Sequence, residues 1–140
     1  MCPLGSRPQI LVVDDEPIIA QLIVDMLTVD GYHVDTAPDG LVALERIAGR
    51  AYDLILSDLR MPGLDGLGLY RALEQSRPDL ARRFLFITGT SEHTDYQGII
   101  GELPVPVLTK PFDMTELQRI AREMLAASVP DPVPVEPSGS

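Results

Sequence analysis

The chain has a single cysteine, Cys2, which excludes an intrachain disulfide and any multi-cysteine metal site. Lysine is just as scarce: Lys110 is the only one among 11 basic residues, the rest being arginine. Against these stand 21 acidic residues, giving a formal net charge of −10 and a pI near 4.4. An acidic surface repels phosphate backbones, so no nucleic-acid partner is expected. No apolar run approaches the length needed to span a bilayer, so no membrane contact is expected either. The chain does not open with a basic segment leading into an apolar one, and it has no internal repeat. These absences together predict a cytoplasmic protein.

What is present suits one domain. The 140 residues are 45% hydrophobic and 23% charged, the balance of a soluble globular chain able to bury its own core. Residues 1–7 read as a flexible lead-in and residues 8–127 as the domain. Residues 128–140 hold four prolines without periodicity, an extended tail or linker. Within the domain, short apolar runs alternate with amphipathic segments. "QILVV", "HVDTA", "DLILS", "RFLFIT" and "VPVL" predict five strands, several of them buried on both faces. Helices are predicted from Pro17 to the Asp30-Gly31 stop and from Asp39, as N-cap, to Gly49. A third runs from about Gly66 to Gln75, after a Pro/Gly-rich loop over residues 59–65. Residues 91–103 make the poorest helix, weakened by Gly98 and Gly101, and Asp113 caps the last one. Five β–α pairs define an α/β protein, a parallel sheet with helices on both faces. Ligands of such sheets gather at the carboxyl ends of the strands.

The residues at those ends are polar in every case that matters. The first strand runs into Asp14 and Asp15, the third into Asp58; the fourth ends at Thr88, and Lys110-Pro111 follows the fifth. Three carboxylates brought together repel unless a cation neutralises them, and oxygen-only donors select a hard ion such as Mg2+. An ammonium and a hydroxyl beside them complete a site for a phosphoryl group, with Asp58 as the nucleophile.

These positions, with "LVVDDEP", "LILSDLRMPGLDG", "FLFITG" and "VLTKPF", resemble the receiver domain of two-component response regulators over nearly the whole chain. The resemblance implies a doubly wound, flavodoxin-like sheet of order 2-1-3-4-5. It implies that Asp58 accepts phosphate from the phosphohistidine of a histidine kinase or phosphotransfer domain. Asp15 would be a direct Mg2+ ligand, Asp14 would act through water, and the Arg60 backbone carbonyl would complete the protein donors with Asp58. Thr88 would be the switch hydroxyl, and Lys110 would pair with a phosphoryl oxygen. Pro111 would follow a cis peptide bond that aims Lys110. Gly66 would relieve the loop after Asp58, and Gly89 would leave room for the donor. Arg60 and Thr90 would flank the phosphoryl group and tune its lifetime.

One departure concerns switching. The family often has an aromatic ring three residues before the lysine, and here that position is Val107, small and stiff at χ1. The weak helix over 91–103 is the second departure, on a face where many family members dimerise, so a homodimer is a further option. The stretch from "LARRFLFITGTS" to "PVLTKPFDMTEL" also resembles receivers fused to hybrid histidine kinases, in which case the parent chain is the kinase. A degenerate receiver that only binds protein is the alternative: the complete set of residues opposes it, while Val107 argues mildly for it. A haloacid-dehalogenase phosphatase needs a second acid at the position of Arg60. A flavin carrier needs a phosphate loop where Asp14-Asp15-Glu16 stand. His33, His93 and Tyr96 belong to no motif.

Overall fold

The computed structural model describes residues 7–59, 63–89, 98, 105–109 and 113–127. Five strands, β1 (Gln9–Val13), β2 (His33–Ala37), β3 (Leu54–Asp58), β4 (Phe84–Thr88) and β5 (Val107–Thr109), form one sheet of order 2-1-3-4-5. All four ladders are parallel. The described helices are α1 (Pro17–Val29), α2 (Gly40–Gly49), α3 (Gly66–Ser76), α4 (Pro78–Ala81) and α5 (Met114–Ala127). The parallel sheet expected from the alternating pattern and the doubly wound order 2-1-3-4-5 implied by the resemblance are the observed ones.

Strand periodicity divides the core in two. Ile10, Val12, Leu54, Leu56, Leu85, Ile87 and Leu108 bury against Ala20, Ile23 and Leu27 of α1 and Leu117 and Ala121 of α5. Leu11, Val13, Ile55, Phe84 and Phe86 bury on the opposite face with residues of α2, α3 and α4. Both faces being covered, β3 and β4 are buried at every position, which is why their sequences read as nearly continuous apolar runs.

Local chemistry sets the helix ends. Pro17 occupies the first turn of α1, where its missing N–H costs nothing. The helix closes at Gly31, whose φ of 95° is left-handed and whose N–H donates to the Thr28 carbonyl at 2.9 Å. Asp39 caps α2, its side chain accepting from the Val42 N–H at 2.9 Å. Two expectations need correction. The last strand is Val107–Thr109 rather than residues 105–108: Pro106 has no N–H to give a ladder, though its carbonyl accepts from the Phe86 N–H at 3.2 Å. The short α4, absent from the sequence reading, starts on Pro78 and buries Leu80 and Ala81. The helix expected over 91–103 lies outside the described residues apart from Gly98.

Candidate acidic phosphoryl site

The register brings the carboxylates together. Val13 pairs with Ser57 across β1 and β3, so the next residues outward, Asp14 and Asp58, leave the sheet side by side. Asp14, Asp15 and Asp58 each offer an oxygen, and these oxygens lie within 4.8 Å of one another. Asp14 and Asp58 are 5% and 6% exposed, whereas Asp15 opens to solvent. The Asp14 carboxylate is aimed by its own turn, Oδ1 accepting from the Glu16 N–H at 2.9 Å. The N-cap of α1 is Glu16, which makes no side-chain capping bond, so neither Asp14 nor Asp15 is spent on capping that helix. Three carboxylates this close form a hard, all-oxygen donor set suited to a divalent cation of the magnesium type.

Asp58 stands on a pinned stretch of backbone. The Ser57 hydroxyl donates to the Asp58 carbonyl at 2.9 Å, the Leu59 N–H donates to the Ile87 carbonyl at 2.9 Å, and the Gly66 N–H donates to the Leu59 carbonyl at 3.0 Å. The start of α3 packs directly on this stretch. A Cβ at Gly66 would overlap the Asp58 carbonyl oxygen and sit 3.0 Å from Ser57 Oγ. The sequence pointed to Gly66 but not to Ser57. The available signal was one polar residue inside an apolar strand.

Thr88 ends β4, next to the strand that carries Asp58, and is completely buried. Its hydroxyl donates to the Gly89 carbonyl at 3.2 Å. Val107 lies on β5 opposite Phe86 and is partly buried against the α2–α4 side of the core. Arg60, Thr90, Lys110 and Pro111 lie outside the described residues, as do His93 and Tyr96. At the far end of the sheet, His33 and Asp35 of β2 meet Arg50 and Tyr52. Arg50 Nη1 donates to Asp35 Oδ2 at 3.1 Å, and the Tyr52 hydroxyl donates to the same oxygen at 2.7 Å. Burial, then the hydrogen bond to Asp35, push the Tyr52 hydroxyl up to about 12.

A parallel sheet of this order with an acidic pocket at its carboxyl edge defines a class: α/β domains with a donor set for a divalent cation at the carboxyl ends of their strands. Within that class, residues 10–122 match the model of the response regulator receiver domain, and the chain belongs to this family. It is a receiver domain of two-component signalling. The transcriptional regulatory protein TcrA of Mycobacterium tuberculosis is 34% identical over 137 residues, 98% of this chain and 52% of that protein. The sensor kinase CckA of Brucella abortus is 32% identical over 124 residues, 87% of this chain and 13% of the kinase. The chain thus spans about half or less of these curated relatives. Among solved structures, the response regulator TrrA of Thermotoga maritima, in complex with Mg2+ and BeF, superposes with a TM-score of 0.73. It is 30% identical, with 84% of this chain and 98% of that one covered. No described helix is long and apolar enough to cross a membrane.

Proposed function

We propose that this chain acts in the cytoplasm and that its Asp58 accepts a phosphoryl group from the phosphohistidine of a histidine kinase or phosphotransfer domain. The observation behind this reading is the convergence of Asp14, Asp15 and Asp58 at one strand edge, two of them buried. An Asp58 oxygen attacks phosphorus in line, the new O–P bond forms as the P–N bond breaks, and the imidazole departs and takes up a proton. The domain thereby catalyses its own modification. Asp15 and Asp58 would hold Mg2+ directly and Asp14 through water, with the Arg60 carbonyl as a further donor. Bound there, the ion supplies positive charge against the phosphoryl oxygens. The position of Lys110, after the strand next to Thr88, supports the same task for its ammonium, aimed by Pro111. Thr88 holds its hydroxyl on the Gly89 carbonyl until a phosphoryl oxygen offers a better acceptor. Gly66 keeps α3 from colliding with the Asp58 backbone, and Gly89, next to Thr88, would leave the donor room.

The donor must cover surface continuous with Asp15. There α1 begins, and Ile18 and Val29, each 82% exposed, with Leu22 form an apolar stripe along it. Pro17, Ile18, Gln21, Leu22 and Asp25 line a shallow depression on that stripe. Exposed apolar surface contiguous with a reactive carboxylate suits a protein donor better than a small molecule. A receiver that only binds protein would have no use for three converging acids. The test is to add a small phosphodonor and Mg2+ to wild type and Asp58→Asn and compare intact masses. An adduct on wild type alone supports the assignment. An adduct on both, or on neither, removes it.

A further inference from the structure

Thr88 is fully enclosed, so any rotation of its side chain must be taken up by its neighbours. Strand alternation puts Phe86 and Phe84 on the same face of β4 as Thr88. Across the ladder from Phe86 stands Val107, β-branched and without a ring to swing. On its other side Phe86 meets Tyr70 of α3. Their ring centroids are 5.6 Å apart at 62°, and Tyr70 also meets Phe84 at 5.5 Å and 75°. Phe84 and Phe86 are themselves 4.7 Å apart. The three rings form one edge-packed cluster, all but fully buried. Glu74 stands one turn further along α3, exposed, with its charge near the Tyr70 hydroxyl. Burial, then the Glu74 charge beside it, raises the Tyr70 hydroxyl above its ordinary range.

Resting on the receiver reading above, we infer that the Thr88 movement is relayed through the Phe86–Tyr70 ring pair to α3, so that α3 rather than β5 reports the state of Asp58. On the β5 side Val107 offers a stiff wall. On the α3 side flat rings in edge contact can slide as a unit, and Tyr70 carries that motion into its own helix. Close-packed elements respond to a small shift by moving between discrete arrangements rather than by deforming smoothly. A coupling between two positions is established by perturbing one and reading the other, and this chain allows that directly.

The experiment uses the full chain labelled with 3-fluorotyrosine, with Mg2+ and beryllofluoride as the phosphoryl mimic. Fluorine NMR reads the bound beryllofluoride and the tyrosines in one spectrum, and Tyr70→Phe assigns the Tyr70 line. Bound beryllofluoride should shift the Tyr70 line in wild type, and Phe86→Leu should bind beryllofluoride while losing most of that shift. A bound signal with an unmoved Tyr70 line overturns the relay and leaves the receiver reading standing. No bound signal overturns both. Tyr70→Leu removes the α3 ring and gives a second test should Phe86→Leu fail to fold. The Glu74 amide resonance, on α3, should respond to beryllofluoride in wild type and lose most of that response in Tyr70→Leu. A full response in the variant refutes the ring relay.

Discussion

Replacing Asp58 by Asn should stabilise the metal-free protein and make it less responsive to magnesium. The carboxylate oxygens of Asp14, Asp15 and Asp58 lie within 4.8 Å of one another. At that separation two unit charges repel by about 3.5 kcal/mol at an effective dielectric near 20. Asp15 is exposed, so water weakens its share, and part of the repulsion survives in the unfolded chain. The net relief from Asp58→Asn is therefore on the order of 1–3 kcal/mol. A bound cation reverses the ordering of the two proteins. A ligand at a hundred times its Kd stabilises the folded state by about 2.7 kcal/mol, and the variant, short of one charged donor, gains less. Urea unfolding of both proteins, in chelator and in saturating Mg2+, measures all four stabilities. The variant should have the higher midpoint in chelator, and the gap should close or invert with Mg2+. Equal stabilities in chelator would show that the three acids are not held as close charges. An equal Mg2+ gain in both would show that Asp58 is not a donor.

Gly66→Ala gains about 1 kcal/mol of helix propensity but forces a Cβ onto the Asp58 carbonyl, an overpacking cost of about 1–3 kcal/mol. It should lower the urea midpoint and weaken Mg2+ binding together, and no change in either would mean the contact yields without strain. Asp39→Ala removes the bond to the Val42 N–H and should cost about 1 kcal/mol in the same assay without touching Mg2+ affinity; a loss of Mg2+ affinity would contradict its purely capping place. Tyr52→Phe removes a charge-assisted bond to Asp35 and should cost about 1–2 kcal/mol at neutral pH. The folded Tyr52 hydroxyl is raised from 10.0 to about 12, so its contribution is whole below pH 10 and lost as pH climbs through about 12. The stability difference between wild type and variant should shrink over that window. A difference independent of pH would refute the pairing.

How much of this could be read beforehand depended on the range of the interaction. β3 and β4 were legible because burial on both faces leaves a nearly continuous apolar run. Asp39 and Pro17 were legible because capping is settled within one turn. Asp14, Asp15 and Asp58 were legible as a group because a parallel sheet sends its strand ends to one edge. β5 was displaced by Pro106, since three residues with a neighbouring proline carry almost no period. The short α4 escaped for the same reason: one turn has no repeat to detect. The meeting of His33, Asp35, Arg50 and Tyr52 was invisible, because it joins β2 to the far end of α2 and the start of β3. Ser57 was passed over as part of a strand, although its hydroxyl fastens the carbonyl of the residue that matters most.

The division of the core by strand parity has one more consequence. Asp58 is in phase with Leu54 and Leu56, which face α1 and α5, while Thr88 is in phase with Phe84 and Phe86, which face α2 to α4. The modification would be written on one side of a single-layer sheet and read on the other. The sheet then works as a partition with a window at its edge: the helices that receive the donor and those that announce its visit need never touch. Loss of one residue from β4 would keep a threonine close to the edge yet turn it towards the writing side. Such a chain could fold, gather its cation and accept its phosphate, and still tell no one.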